Sequence, residues 1–149
     1  YPRLLRYIMS CYPPDKANSR WCHSCPMCAK AFLYSAAVGG DPKKMKMKRT
    51  MFSEKDRELY PVFAKTISRP YEKPPESKEE QLLSFLLAER NGWRGPLIDL
   101  FRKKYLTEAK KRECELRKKY FGIHEFKTIP EAWQSKLKKI YHEELGNEL

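Results

Sequence analysis

The sequence predicts a mainly α-helical fold pinned by a four-cysteine zinc knuckle, meaning a tight turn whose four cysteines share one metal ion. Two observations support this. Cys11, Cys22, Cys25 and Cys28 have the spacing C-x10-C-x2-C-x2-C, in which two-residue gaps let neighbouring thiolates converge on a tetrahedral ion. Elsewhere, apolar residues recur at helical spacing between glycine and proline breaks, with no sustained strand alternation and no internal repeat.

The cysteines have alternative uses that the sequence leaves open. Two disulfides would require an oxidising compartment, whereas no secretory signal is visible and Lys and Glu are abundant. An iron–sulfur cluster also takes four thiolates, but Pro26 follows the third cysteine, and the bacterial ferredoxin run has its proline after the last. His23 could replace one ligand, although we expect it to be exposed. Ligand type and spacing favour zinc, and we expect the distant Cys114 to be a free thiol.

Helices and a basic segment are predicted around and after the cysteines. Residues 2–10 and 29–38 show helical apolar spacing, and Gly39 and Gly40 end the second helix. Residues 41–50, here called the basic segment, carry five Lys or Arg against one acid, and two methionines alternate with the lysines. This pattern predicts a short extended segment or a mobile basic loop. A short amphipathic element follows Ser53 and ends at Pro61.

The next stretch is predicted to connect two regions. Residues 68–77 contain three prolines, which indicates a connector without regular structure. Ser77 and Glu80 then form a capping box in front of the clearest helix in the chain, which ends at Asn91 and Gly92. The predicted organisation is therefore a zinc-knuckle and helical region (1–67), a proline-rich connector (68–77) and a basic helical region (78–149).

Two further helical stretches complete the predicted fold. One begins at Gly95 and Pro96, and its continuation over residues 101–120 contains nine Lys or Arg and three Glu. Glutamates three or four residues from basic side chains form weak intrahelical pairs, so a solvated face is favoured there. The last helix opens at Thr128 and Pro130 and ends at Gly146.

Charge and length restrict the classes of partner. A chain of 149 residues with 31 Lys and Arg against 19 Asp and Glu has a net charge of +12, which attracts nucleic acid, nucleotides or phosphorylated metabolites. No apolar run approaches the roughly 18 residues of a membrane span, so we expect a soluble, cytoplasmic protein without membrane contact. Because Tyr1 already lies in a predicted helix, we expect the chain to be an excerpt of a longer polypeptide.

The sequence offers no catalytic motif of its own. No HExxH, G-x-S-x-G or Walker A pattern appears. Four thiolates fill a tetrahedral zinc and leave no position for water, so a structural ion is expected. No acid, base or nucleophile is assigned.

The cysteine motif resembles one enzyme superfamily. Ser10-Cys11-Tyr12 followed by the CxxCxxC run is similar to the C-terminal zinc motif of cyano-deazaguanine synthases, members of the PP-loop (N-type ATP pyrophosphatase) superfamily. Residues 20–34, RWCHSCPMCAKAFLY, look still more like the UDP-muramoyl-alanyl-glutamate epimerase branch, in which a WCxxCPKC run enters an apolar helix. Residues 73–76, KPPE, resemble that branch's KPxEC segment, with Ser77 in place of its cysteine.

The resemblance implies the C-terminal part of a larger α/β enzyme. Such an enzyme would use ATP and Mg2+ to adenylate a carboxylate-type group on a small or nucleotide-like anionic substrate, releasing pyrophosphate. Its SGGxDS phosphate loop would lie in a preceding N-terminal domain or subunit, because this chain lacks that loop. The four cysteines are the only site residues that carry over, as ligands of structural Zn2+.

A non-enzymatic interpretation remains as the alternative. In it, a zinc and helix module binds RNA or DNA through its basic surface, and aromatic residues such as Trp21 and Trp93 stack on bases.

Overall fold

The computed structural model describes residues 6–8, 11, 20–64, 74–122 and 127–145. Most of these residues are helical and none is in a strand, which confirms the mainly α fold. The α-helices are α1 (Pro26–Ala37), α2 (Pro74–Arg90), α3 (Pro96–Lys104), α4 (Leu106–Phe121) and α5 (Glu131–Leu145). Two 3₁₀-helices, Pro42–Met45 and Glu54–Leu59, lie between α1 and α2. Most of the predicted helix at 2–10 and of the loop between Cys11 and Cys22 lies outside the described residues.

The chain forms two compact units, Tyr1–Lys110 and Lys111–Leu149. In the first unit α1 packs along α2, and the 3₁₀-helix Glu54–Leu59 contacts both α1 and α3. The second unit contains the end of α4 and all of α5. The predicted regions 1–67 and 78–149 rest on composition and stay predictions, while the compact units divide the chain within α4.

An aromatic cluster forms the core of the first unit. Phe85 of α2 is fully buried, and its ring centroid lies 5.0 Å from that of Phe63, 5.2 Å from Tyr60 and 5.6 Å from both Phe52 and Phe101. Each such side chain contributes about 1.5–3 kcal/mol through burial, and the tilted ring pairs add to this. The cluster joins α2 and α3 to residues 52–63, the segment that follows the basic segment.

Proline begins three of the α-helices because its missing N–H costs nothing in a first turn. Accordingly α1 begins at Pro26, three residues before the predicted start, and α3 begins at Pro96 as predicted. The connector prediction is wrong at its end, since Pro74 to Ser77 are already helical in α2. Consequently Ser77 lies inside α2 and is buried, so the predicted capping box is not its start. Residues 68–73 lie outside the described residues.

The basic segment is neither extended nor a simple loop. It forms the 3₁₀-helix Pro42–Met45, and Lys46 follows in the left-handed conformation with φ 63°. Its turn is closed by hydrogen bonds from the Lys46 N–H to the Lys43 carbonyl (2.8 Å) and from the Met47 N–H to the Pro42 carbonyl (3.1 Å). This turn buries Met45 and Met47 and leaves the lysines outside. The alternation therefore comes from a helical turn and not from a strand.

Helix α1 is capped from α2. The Asn91 side-chain amide donates hydrogen bonds to the carbonyls of Ala36 (3.0 Å) and Ala37 (2.8 Å), which have no partner inside the helix. Gly39 follows with φ 71° and ends the helix as predicted. Lys30 and Glu80 form an ion pair of 3.5 Å between the two helices.

In the second unit the charges pair along the helix. Arg112 lies 2.7 Å from Glu115, and Arg117 lies 2.9 Å from Glu113, which confirms the predicted intrahelical pairing on α4. On α5 apolar side chains are only partly covered, since Trp133 is 56% exposed. No helix in the described part of the chain combines the length and apolar character needed to cross a membrane.

We expect Gly95→Ala to destabilise the protein more than Gly92→Ala. Both glycines have positive φ, 142° and 86°, so alanine is strained at both positions, and Gly95 with ψ 168° lies in a region that glycine alone adopts readily. A Cβ at Gly95 would also lie 3.1 Å from the Phe52 carbonyl oxygen, whereas nothing lies within 4 Å at Gly92. Urea unfolding of both variants measures the difference, and equal losses would contradict a role for the Phe52 contact.

Candidate metal centre

The four predicted cysteines converge on one point. Their sulfur atoms all lie within 4.8 Å of one another. The distance from Sγ of Cys22 to Sγ of Cys28 is 3.7 Å, and that from Cys11 to Cys25 is 3.8 Å. All four are free thiols in the structure and could hold a metal ion together.

The start of α1 places two of these sulfurs. Cys25 is the N-cap residue with an extended backbone (φ −122°, ψ 158°), and its sulfur accepts a hydrogen bond of 3.5 Å from the Cys28 N–H. In the preceding turn the Ser24 N–H donates to the Cys22 sulfur, also at 3.5 Å. Backbone N–H groups in this turn are thus directed at sulfur, and the Cys25 sulfur takes the place that an oxygen has in most N-caps.

Burial and hydrogen bonding set the protonation of the thiols. Burial raises the pKa of Cys11 and of Cys28, which are almost entirely buried. Burial would also raise the pKa of Cys22, but hydrogen bonds from Ser24 and neighbouring thiols outweigh it and lower the pKa to about 6. Hydrogen bonding therefore favours the thiolate form of Cys22, whereas the anionic forms of the two buried sulfurs need a cation to compensate their charge.

His23 braces the turn and does not complete the ligand set. It has a positive φ of 56°, a conformation for which histidine is enriched among non-glycine residues. Its Nε2 accepts a hydrogen bond of 3.0 Å from the Lys48 N–H, and its carbonyl accepts one from the Arg49 guanidinium. His23 is half-buried and not exposed as expected; burial and the charge of Arg49 lower the pKa of its imidazole.

Arg49 connects His23 to the buried carboxylate of Asp56. Its guanidinium contacts both oxygens of Asp56, at 2.8 Å and 2.7 Å, and the Ser53 hydroxyl donates to Asp56 at 2.5 Å. Asp56 is only 1% exposed. Burial would raise its pKa, but the hydrogen bonds from Arg49 and Ser53 outweigh it and hold the pKa below its ordinary value. Nothing local in the sequence indicates this pair, because its partners are seven residues apart and meet across a turn.

Trp21 also belongs to the support of the site. It is 1% exposed, and its indole N–H donates to the Met45 carbonyl at 2.7 Å. The expectation that Trp21 stacks on bases is therefore wrong, since its ring is enclosed by the protein. Trp93 is half-buried, and Cys114 is an exposed free thiol apart from the cluster.

The arrangement is suited to holding an ion and not to reacting with substrate. Four sulfur ligands leave a tetrahedral ion no open position.

Comparison with protein-family models, with curated proteins and with solved structures finds no match to this chain. The function therefore has to be inferred from the geometry of the site.

We expect Asp56→Asn to destabilise the protein by about 2–3 kcal/mol at pH 7, because the partly buried Arg49 loses its counter-charge. Since the folded-state pKa of Asp56 is lowered, its contribution is present above its ordinary pKa of 3.8 and is lost as pH falls through the folded-state value. Urea unfolding of both proteins from pH 7 to 3 measures this. The free energies of unfolding of the two proteins are compared at each pH, since metal loss in acid affects both.

The matched control is Glu54→Gln. Glu54 pairs with Arg57 at 3.4 Å, but its side chain is 64% exposed, so we expect less than about 1 kcal/mol. The free energies of unfolding of wild type and Asp56→Asn should approach each other in acid. If their difference stays constant, the charge of Asp56 does not stabilise the fold.

Proposed function

We propose that this chain is the zinc-binding C-terminal portion of an ATP-dependent PP-loop enzyme that adenylates a carboxylate-type substrate. One observation carries the proposal: the sulfurs of Cys11, Cys22, Cys25 and Cys28 lie within 4.8 Å of one another at the start of an apolar helix. The cysteine motif that resembles the PP-loop superfamily therefore also supplies the four sulfurs that lie close together in the fold.

Sulfur spacing supports a single zinc ion. A tetrahedral ion with Zn–S bonds of about 2.3 Å separates its ligands by about 3.8 Å, and the pairs Cys22–Cys28 and Cys11–Cys25 have sulfurs 3.7 Å and 3.8 Å apart. An iron–sulfur cluster places several irons and sulfides between its thiolates, and sulfurs within 4.8 Å of one another leave room for only one ion.

A closed site supports a structural role for this zinc. When bound, it stabilises the thiolate forms of the buried Cys11 and Cys28 and contributes that free energy to folding. His23, held by Lys48 and Arg49, keeps the turn between two ligands in its left-handed conformation. The chain's own part in the enzyme is then to hold α1 rigid.

The outer face of α1 supports a preceding domain as partner. Met27, Ala31 and Val38 lie on this face and line an apolar groove of about 490 Å3, with Ile8 at its edge. Met27 is 38% exposed, Ile8 43% and Val38 68%, so a domain packed here would bury apolar side chains of α1 and of the segment before Cys11. In this proposal the N-terminal domain packs against this groove. In the proposed enzyme that domain provides the phosphate loop for ATP.

We expect Cys25→Ser to lose the metal and to lower the free energy of unfolding by several kcal/mol, because a closed site contributes directly to folding. Elemental analysis of the purified chain should give zinc at about one per chain, and thermal unfolding gives the stability. Cys114→Ser is the control, since its thiol is exposed and outside the cluster. Iron, or no metal, in the unaltered protein would contradict the zinc assignment.

We expect the complete enzyme to exchange labelled pyrophosphate into ATP only when its carboxylate substrate is present, because adenylation is reversible before the adenylate is consumed. The first step is to read the coding sequence upstream of Tyr1 and in neighbouring genes for SGGxDS. The exchange rate of that protein is then measured with candidate carboxylates, with Cys25→Ser and Cys114→Ser compared. Absence of SGGxDS from both places would remove the enzymatic proposal and leave the zinc assignment untouched.

A further inference from the structure

A second, smaller pocket lies apart from the sulfur cluster. Its volume is about 150 Å3, roughly half the lower end of the range for pockets that enclose drug-sized ligands, about 300 Å3. It therefore suits one ring system and not a whole cofactor. The lining residues come from α1, the basic segment and the end of α2: Phe32, Pro42, Lys43, Met47, Lys48, Arg49, Thr50 and Trp93.

Rigid aromatic and apolar groups form its walls. The Trp93 ring packs edge to face against Phe32 and Phe52, with centroids 5.3 Å and 5.8 Å apart. Phe32 and Met47 are 2% and 3% exposed, so they are fixed by the core behind them. Trp93 itself is half-buried and retains accessible surface. A flat ring entering this pocket would meet side chains that are already held in place.

Cationic groups lie on the same pocket, and they differ in availability. Arg49 is neutralised by its two contacts with Asp56. The ammonium groups of Lys43 and Lys48 are exposed and have no carboxylate partner within 4.0 Å in the described ranges of the chain. Asp41 accepts a hydrogen bond of 2.9 Å from the Lys43 backbone N–H. Two lysines thus remain for an anion.

The backbone positions of these lysines are set by the rest of the fold. The Lys48 N–H is bound to His23, and the Lys43 N–H to Asp41. Between them the closed turn at Lys46 directs the methionines inward and the lysines outward. A pocket that combines an aromatic wall with two lysines on a fixed backbone has the chemistry that recognises a base and a phosphate together.

We propose that this pocket binds one nucleotide unit, with the base against Trp93 and the phosphate at Lys43 and Lys48. The unit can come from a free nucleotide or from single-stranded nucleic acid, which present the same chemistry. This site goes beyond the proposed enzyme function, because it uses neither the four cysteines nor the ATP-binding domain.

Binding to the zinc-loaded chain tests the proposal by isothermal titration. The probes are adenosine monophosphate, inorganic phosphate and a short single-stranded oligonucleotide, each at two salt concentrations. Lys43→Gln/Lys48→Gln should weaken nucleotide binding at least about tenfold, since two charge-assisted contacts are lost. The matched control is Lys103→Gln/Lys104→Gln, which removes two exposed charges from α3 and should leave the affinity unchanged. Thermal unfolding and zinc content establish that each variant is folded.

Trp93→Leu tests the base contact separately and should cost about tenfold in nucleotide affinity without changing affinity for phosphate. If this variant fails to fold, the lysine pair and the comparison of nucleotide with phosphate still decide. Tighter binding of the oligonucleotide than of the mononucleotide identifies nucleic acid as the source, and the reverse identifies a free nucleotide. Equal weakening by both lysine pairs, equal affinity for phosphate and nucleotide, or no binding by either nucleotide probe would overturn the proposal.

Discussion

The first compact unit depends on one constraint, the convergence of four cysteine sulfurs. Cys11 meets Cys22, Cys25 and Cys28 although ten residues separate it from the nearest of them. Closing that loop costs conformational entropy, and this stretch has little apolar content to offset it. A shared ion would supply the missing free energy, because unpaired thiolates in one buried space repel each other. The direction in which α1 leaves the site follows from this closure.

A few polar contacts connect the cysteine cluster to the aromatic core. His23 holds Lys48 and Arg49, Arg49 holds Asp56, and Asp56 lies in the 3₁₀-helix that leads into the aromatic cluster. A buried ion pair adds little net stability, since desolvation offsets its attraction. The pair instead fixes geometry, because the Arg49 guanidinium contacts both the His23 carbonyl and the Asp56 carboxylate. Aromatic burial supplies the stability, and the polar contacts determine which arrangement is stable.

The positive charge of the chain has two different environments. On α4 arginines pair with glutamates one turn away, so much of the charge there is compensated within the helix. In the basic segment a closed turn places two methionines in the core and leaves Lys43 and Lys48 beside an aromatic pocket. Net charge alone does not distinguish these cases, because the difference lies in which carboxylates are within reach.

Local signals in the sequence determined the helical class, the members of the cysteine cluster and most helix ends. Gly39, Gly92 and Pro96 act within a few residues of themselves, and the four cysteines lie in one short stretch, so these signals are visible without the fold. Only the tertiary structure decided that Trp21 is enclosed, that His23 braces Arg49, that α2 begins at Pro74 and that the basic segment turns. Each of these depends on groups distant in sequence or on which side of a turn faces the core. The sequence shows that methionines alternate with lysines in the basic segment. Packing determines whether this alternation forms a strand or a helical turn.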